Sequence, residues 1–315
     1  MNAPPVAARP RLAHRAEFWA LRAVLAALSH TDWQRAGDIG ARVALLGYRP
    51  FGIRRNVVEK QVAAAFPELG AAAVTAITRG AYEHLGRVTG ESAVVPSLGR
   101  EGVLEMFEAV EGWEHIERPM DAGRGLVLVG GHFGNWELSG TYLAARGVPV
   151  DVIVRRMSNP LFDAYLNALR LKLGMTVVYD NEAVRRTPRA LAAGRAVGLL
   201  ADQGGKGIAA IHVPFFGRPA RTPHGPAVFA LRGNTPMVFI AAVRVESGRY
   251  RMIVEPVPLE QTGERERDVE ALVRRYTGVL EKWVRAYPEQ YFWHHHRWKR
   301  QPPETPLELR DPVRS

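Results

Sequence analysis

Short apolar runs alternate with longer amphipathic stretches along most of the chain, which predicts an α/β fold. Six runs have the length and residue types of buried strands: Leu126–Val129, Val150–Val154, Thr176–Tyr179, Ala196–Leu200, Met237–Val243 and Tyr250–Val254. The last two are separated by Ser247-Gly248 and predict a hairpin. Helical periodicity marks Leu161–Leu173, Thr187–Ala193 and Asp268–Tyr287. We therefore expect a mixed central sheet flanked by helices around one core.

The N-terminal part of the chain follows a different pattern. Residues 1 to 14 are rich in Pro, Ala and Arg, which is typical of disorder, and residues 17 to 28 form an amphipathic helix with aromatic and basic side chains. Such a helix suits a membrane interface, and it also suits packing on the protein's own core. More helix follows, ending near Pro96. The predicted organisation is a tail with an interface helix (1–30), a single α/β domain (31–300) and a flexible C-terminal tail (301–315).

The amino-acid composition limits which partners the protein binds and which kinds of site it contains. The 315 residues carry a formal net charge of +10, so anionic partners are expected, and nucleic acid, acidic lipid headgroups and an acidic carrier protein fit equally well. The absence of cysteine excludes disulfides and thiolate zinc sites. No apolar run reaches the length of about 18 residues that a membrane-spanning helix needs, and we expect no signal peptide.

The stretch from Gly125 to Glu137 carries the clearest chemistry. An apolar run leads into Gly130-Gly131-His132, and Glu137 lies five residues further on, in a helical pattern. In one continuous helix, residues five apart diverge by roughly 140°. His132 and Glu137 therefore converge only if His132 lies in the strand-to-helix turn and Glu137 in the first helical turn. A histidine held by a carboxylate is a general base with a fixed tautomer. The alternative is a buried, hydrogen-bonded histidine in a glycine turn.

The segment Gly130-Gly-His-Phe-Gly-Asn-Trp-Glu137 resembles the His-x4-Asp/Glu signature of membrane glycerolipid acyltransferases. It is most similar to the bacterial lipid A (Kdo2-lipid A) lauroyl/myristoyl acyltransferases and the related phosphatidylinositol mannoside acyltransferases. Further blocks occur in the family's order: Arg54-Arg-Asn56, Ala65-Phe-Pro-Glu68, Arg155-Arg-Met-Ser-Asn-Pro160, Leu200-Ala-Asp-Gln203, Val213-Pro-Phe-Phe-Gly-Arg-Pro219, Thr222-Pro-His-Gly-Pro226 and Trp293-His-His-His-Arg-Trp-Lys299. Together they cover roughly residues 50 to 300.

The resemblance implies a glycerolipid acyltransferase-like fold and an O-acyltransferase activity. The acyl donor would be a thioester of an acidic acyl carrier protein or of coenzyme A, and the acceptor a hydroxyl group of an anionic, lipid A-type glycolipid. His132 would be the general base, oriented by Glu137 and also by Asp202, without a metal ion or a cofactor. Backbone N–H groups around Gly131–Gly134 would stabilise the oxyanion. The protein would be peripheral or monotopic on the cytoplasmic face of the bacterial inner membrane.

Substrate contacts are expected from side chains at the same edge of the sheet. Arg155 follows a strand and precedes a helix that starts at Asn159-Pro160, an arrangement that favours anion binding; a solvated surface arginine is the alternative. The predicted substrate-binding residues are Arg155, Asn159, Asp202, Arg218, Thr222, Gly134 and Asn135. Asp202 supports either His132 or the acceptor sugar.

Two other functions remain open at this point. The acceptor is alternatively another glycolipid, of the phosphatidylinositol mannoside type, or a lysophospholipid, because pocket shape decides acceptor identity. From a different class, a non-catalytic basic protein that binds membranes or nucleic acid explains the charge but leaves the His132 turn without a role. A metal site at His294-His295-His296 is disfavoured, because consecutive histidines on a strand or a helix point apart.

Overall fold

The computed structural model describes residues 11–205 and 207–314. Within them the chain forms ten α-helices and nine strands. The helices are α1 (Leu12–Leu28), α2 (Trp33–Tyr48), α3 (Arg55–Ala65), α4 (Ala71–Glu105), α5 (Glu114–Asp121), α6 (Trp136–Ala145), α7 (Pro160–Lys172), α8 (Asp180–Ala192), α9 (Gly225–Gly233) and α10 (Arg265–Ala286). The strands are β1 (Phe107–Glu111), β2 (Leu126–Gly130), β3 (Val150–Val154), β4 (Thr176–Tyr179), β5 (Ala196–Leu200), β6 (Ala210–Phe215), β7 (Arg218–Pro223), β8 (Met237–Arg244) and β9 (Tyr250–Pro256).

Seven strands form one sheet in the order β1-β9-β8-β2-β5-β3-β4. Neighbouring strands run parallel except for β8 and β9, which are antiparallel partners. The sheet is therefore mixed, as the sequence predicts, and the β8–β9 hairpin is confirmed. The central strand β2 lies between β8 and β5, so the turn that follows it opens at the middle of the sheet.

The sheet is covered on both faces because residues of β2 alternate between two clusters. Val127 and Val129 pack in a cluster with α10 side chains such as Leu280, while Leu126 and Leu128 pack in another with Leu143 of α6. All five residues of β2 are buried. A strand buried on both faces reads as a continuous apolar run, which is why the sequence identifies β2 so clearly.

Two features differ from the sequence-based expectation. The edge strand β1 and the β6–β7 hairpin were not predicted; Pro214, Pro219 and Pro223 in the hairpin mask its strand pattern, because proline is depleted in strands. The range of α4 is divided by Gly99, whose φ of 66° and ψ of −173° are not helical. The long first part of α4 therefore ends just after Pro96, close to the predicted end, and a short second part leads to Glu105.

The structure describes the two ends of the chain in part. Residues 1–10 of the predicted tail lie outside the described residues, and α1 starts at Leu12. The C-terminal segment packs against the domain, whereas the sequence predicts a flexible tail. Asp311 is buried and accepts a hydrogen bond from His296 (2.6 Å), and the Arg310 carbonyl accepts one from Arg218 (2.9 Å). No helix in the described part of the chain combines the length and apolarity needed to cross a membrane.

Candidate active site

The turn between β2 and α6 has the shape that the glycine spacing predicts. Strand β2 ends at Gly130, and Asn135 caps α6 with its Oδ1 accepting a hydrogen bond from the Leu138 N–H (3.0 Å). Gly134 has a φ of 57°, and a Cβ there would lie 2.1 Å from the Ala242 carbonyl oxygen. Only glycine fits such a close approach in the left-handed region. His132 thus lies in the strand-to-helix turn and Glu137 in the first turn of α6, as expected.

The carboxylate partner of His132 is Asp202. The His132 Nδ1 atom lies 2.7 Å from Asp202 Oδ1, and the His132 backbone N–H donates to Oδ2 at 3.1 Å. Asp202 follows β5, the parallel neighbour of β2, in which Leu200 pairs with Gly130. Because both strands end at the same edge, residues two positions beyond each end meet there. Two bonds from one carboxylate fix both the backbone and the ring of His132.

The environment of Asp202 keeps it ionised. Its side chain is 1% exposed, whereas 24% of the His132 side chain is exposed to solvent. Burial raises the pKa of Asp202, but the neighbouring charges and hydrogen bonds outweigh this effect and lower the pKa to about 2. His132 contributes most to the lowering, through its charge and its hydrogen bond, and Arg297 contributes next. An ionised Asp202 accepts the Nδ1–H bond and leaves the Nε2 lone pair of His132 to take up a proton.

The expected hydrogen bond between Glu137 and His132 is not formed. Glu137 instead makes a bidentate ion pair with Arg170 of α7, with Nε to Oε2 at 3.0 Å and a second, shorter bond from Nη2 to Oε1. The first turn of α6 faces α7 at this position, while the His132 ring faces the end of β5. The sequence prediction therefore placed both residues in the correct elements but gave His132 the wrong carboxylate as its main partner.

The C-terminal segment that follows α10 completes the turn. The Phe292 N–H donates to the His132 carbonyl (2.9 Å), and the Gly134 N–H donates to the Gln290 carbonyl (3.0 Å). The Phe292 ring lies 6.0 Å from the His132 ring, and Trp136 lies 5.2 Å from it, measured between ring centroids. Sequence reasoning missed Phe292, although it adjoins the Trp293–Lys299 block that carries the resemblance.

Three further polar residues of this segment are buried or partly buried, and two of them, Arg297 and His295, interact electrostatically with Asp202. Arg297 is buried and donates to the Thr222 Oγ1 and the Arg221 carbonyl, both at 2.7 Å. His295 has a pKa lowered to about 4, chiefly by burial, with Asp202 acting in the opposite sense. His294 is buried against Tyr82, at 4.4 Å between ring centroids, and burial lowers its pKa to about 4 as well. Both imidazoles are therefore neutral at physiological pH.

The structure uses most of the predicted substrate-binding residues for internal contacts. Asn159 caps α7 and bonds the His14 carbonyl of α1 (3.0 Å), so its amide is occupied. Arg218 donates to the Ala64 and Arg310 carbonyls, and Thr222 is buried beside Arg297. Arg155 follows β3 with its side chain half exposed, and its Nε lies 4.0 Å from an Asp180 carboxylate oxygen. Binding of substrate by these residues stays a prediction.

No group of three or more histidine, aspartate or glutamate side chains in residues 11–205 and 207–314 is arranged to hold a metal ion. His296 is engaged by Asp311 at 2.6 Å, and His294 faces Tyr82 and Phe292. The three consecutive histidines thus have separate environments, which is the arrangement expected when successive side chains point apart.

Comparison of the sequence with known proteins places the chain in a family. The chain is 28% identical over 232 residues to a phosphatidylinositol mannoside acyltransferase of Mycobacterium tuberculosis, covering 71% of each chain. The corresponding protein of Mycolicibacterium smegmatis is 26% identical over 244 residues, covering 75% of this chain and 77% of the relative. A lipid A biosynthesis palmitoleoyltransferase of Escherichia coli is 27% identical over 223 residues, covering 69% and 71%. The family model for bacterial lipid A biosynthesis acyltransferases matches residues 7–300. The chain therefore belongs to the bacterial lipid A biosynthesis acyltransferase family.

Proposed function

We propose that this protein transfers a fatty acyl chain from a thioester donor to a hydroxyl group of an anionic glycolipid. The observation that carries the proposal is the His132–Asp202 dyad, 2.7 Å between Nδ1 and Oδ1, in a glycine turn at the open edge of the sheet. Relatives act on two kinds of acceptor according to their names, lipid A and phosphatidylinositol mannoside. Both are anionic glycolipids, so the acceptor is proposed at that level.

The chemistry requires one base and no covalent acyl-enzyme. The Nε2 atom of His132 accepts the proton of the acceptor hydroxyl while that oxygen attacks the thioester carbonyl carbon. The resulting tetrahedral oxyanion collapses with cleavage of the C–S bond, and the leaving thiolate takes the proton back from the imidazolium. Asp202 holds the Nδ1–H tautomer and stabilises the transient positive charge.

Oxyanion stabilisation is assigned to the start of α6 rather than to the turn itself. Backbone N–H groups in the turn have partners within the fold: those of residues 132, 133, 134 and 135 donate to Asp202, Gly131, Gln290 and Ala242. The next two, on Trp136 and Glu137, are at the first helical positions, where N–H groups lack an intrahelical acceptor. Trp136 also lies beside the His132 ring. These N–H groups and the positive end of the helix dipole would favour the developing negative charge.

The same proposal places the enzyme at an anionic membrane surface, on the cytoplasmic side where thioester donors are made. Helix α2 presents an exposed stripe in which Ile39, Val43 and Leu46 alternate with Arg35, Arg42 and Arg49. The loop after it adds Phe51, which is 72% exposed, and Ile53. The only acidic residue between positions 33 and 56 is Asp38, and it pairs with Arg87. Exposed apolar and basic side chains on one helix face are typical of interfacial binding.

Helix α1 contributes less to such a surface than its sequence suggests. Phe18 packs against Phe162 and Tyr165 of α7, at 5.7 and 6.1 Å between ring centroids, and Arg22 lies over the Tyr165 ring. Leu25 and Leu28 are buried. Of the aromatic pair that favoured an interface helix, Trp19 alone is exposed, at 66%. The membrane surface proposed here is therefore centred on α2.

The test is acyl transfer by the purified full-length protein. Acyl carrier protein and coenzyme A thioesters would be offered with a lipid A precursor and with a phosphatidylinositol mannoside, and the products identified by mass spectrometry. His132→Ala should reduce turnover by at least about a hundredfold, whereas His30→Ala, at an exposed position of the α1–α2 turn, should not. No product from any donor and acceptor pair, or unchanged turnover in folded His132→Ala, would refute the proposal.

A further inference from the structure

The long helix α4 carries a carboxylate that is completely buried next to the catalytic turn. Glu91 has no exposed surface, and its carboxylate accepts hydrogen bonds from Arg244, from the Tyr250 hydroxyl and from the Asn135 Nδ2 (3.2 Å). Burial raises the pKa of Glu91, and the adjacent Arg244 opposes that shift. A buried ionic group is weak support for stability as such, so a functional explanation of its contacts is needed.

Asn135 connects Glu91 to the start of α6. Its Nδ2 donates to Glu91, which leaves Oδ1 directed at the Leu138 N–H of the first helical turn (3.0 Å). Its backbone N–H donates to the Ala242 carbonyl (2.8 Å). An asparagine side chain has one donor end and one acceptor end. The carboxylate of Glu91 therefore sets which end of Asn135 caps the helix.

A second side chain of α4 reaches the same turn. The His84 Nε2 lies 3.1 Å from the Gly134 carbonyl oxygen. Burial lowers the pKa of His84 to about 4, so the ring is neutral and donates a single hydrogen bond there. His84 and Glu91 are seven residues apart, two helical turns, and thus lie on one face of α4. That face holds the turn at two successive residues, Gly134 and Asn135.

We infer that Glu91 is a positioning residue for acyl transfer, acting through Asn135 on the first turn of α6 and on His132. The inference rests on the proposed function, since the groups it positions are the base and the N–H groups of Trp136 and Glu137. Glu91 itself lies behind the turn, separated from the reacting atoms by Asn135. A displacement of about 1 Å at a catalytic group lowers the rate on the order of a hundredfold, so a fixed helix start matters more to turnover than to binding.

The main variant is Glu91→Gln, which keeps the volume and removes the charge. Its matched control is Asp151→Asn, because Asp151 is also a buried acid paired with one arginine, Arg195 (2.7 Å), but lies on β3 away from the turn. We expect Glu91→Gln to lower kcat by about tenfold or more with KM changed less than about twofold. Asp151→Asn should keep kcat within about twofold at a similar loss of thermal stability. Tyr250→Phe, a gentler change, should shift kcat in the same direction by a smaller factor.

A double-mutant cycle separates positioning from general destabilisation. If Glu91 acts through Asn135, Glu91→Gln combined with Asn135→Ala should have the kcat of Asn135→Ala alone, within about twofold. Asp151→Asn combined with Asn135→Ala should instead show independent, multiplying effects. Multiplying effects for the Glu91 pair, or an unchanged kcat in folded Glu91→Gln, would overturn the inference.

A measurement without substrate keeps the inference testable if the wild-type protein shows no acyl transfer. The His132 Nδ1–H proton, hydrogen-bonded to Asp202, should give a downfield NMR resonance that disappears in His132→Ala. We expect this resonance to shift or broaden in Glu91→Gln and to stay unchanged in Asp151→Asn. Absent turnover in the wild type would refute the proposed function alone. An unperturbed resonance in Glu91→Gln would refute the positioning role.

Discussion

Replacement of Asp202 by asparagine is the sharpest test of the dyad. The amide is isosteric with the carboxylate, so the buried site should retain its shape. The new amide oxygen would still accept the His132 backbone N–H, and the new NH2 group would then face Nδ1. An NH2 group donates, so Nδ1 becomes an acceptor and Nε2 carries the proton. The imidazole is then in the tautomer that cannot take the proton of the acceptor hydroxyl.

The structure gives a magnitude for this change. The pKa of Asp202 is about 2, compared with an ordinary value of 3.8. This lowering of the pKa corresponds to a stabilisation of the ionised carboxylate on the order of 2 kcal/mol, and His132 is its largest favourable cause. Loss of the charge should therefore slow the proton transfer at least tenfold, and the wrong tautomer extends the expected loss in kcat towards about 10⁴-fold.

The assay is single-turnover acyl transfer with saturating thioester and acceptor, which reports the chemical step. Asp202→Asn should lose kcat with little change in KM, while Asp151→Asn provides the control for removing a buried acid elsewhere. Circular dichroism and thermal unfolding establish that both variants are folded. A folded Asp202→Asn protein with turnover within about threefold of wild type would show that the 2.7 Å contact does not orient a catalytic base.

Three further outcomes are expected. Glu137→Gln and Arg170→Gln should lower activity to a similar extent, and the double variant should be no worse than either, because the two side chains act as one ion pair; additive losses would contradict this. Phe51→Asp should reduce sedimentation with anionic vesicles several-fold and leave turnover of detergent-dispersed substrate unchanged. Val184→Asp, also at an exposed apolar position, should leave both sedimentation and turnover unchanged. The free energy of unfolding, measured in urea, should fall as the pH drops from 6.5 to 4, because the pKa of His84 is lower in the folded state (about 4) than in the unfolded state (about 6.5). This histidine should account for a decrease of at most about 3 kcal/mol. A His84→Gln variant with the same pH dependence would exclude His84 as its source.

The sequence predicts the parts of the fold in which each strand carries its own signal. Val150–Val154, Thr176–Tyr179 and Ala196–Leu200 agree with the structure at both ends, because short apolar runs bounded by polar residues have few alternatives. The β6–β7 hairpin was missed because its strands contain proline and its pairing stabilises it independently of strand propensity. The helix end predicted near Pro96 agrees with the structure, because α4 is interrupted at Gly99, just after this proline.

For the site, the sequence identified His132 as the candidate base, but it did not determine whether Glu137 or Asp202 contacts it. Glu137 was favoured because it is close to His132 in the sequence. The contact with Asp202 depends on the alignment of β2 with β5, and a single sequence does not reveal how strands pair. Glu91 and His84 were missed for a similar reason. They lie in a helical stretch some 40 residues or more before His132, and only the packing of α4 against α6 brings them to the turn.

The contacts of the C-terminal segment with the catalytic turn determine when the site becomes complete during protein synthesis. The carbonyl of His132 is held by Phe292, which the ribosome adds 160 positions later, and Gly134 is held by Gln290. At about 5–20 residues per second, that interval lasts on the order of 10–30 s. Asp202 is added 70 positions after His132, so only over the last 90 positions, about 5–18 s, does the chain contain its base and its carboxylate but not the segment that pairs with the turn. A chain that ends after Asp202 but before residue 290 should therefore be unable to transfer acyl groups, although it contains both side chains of the dyad.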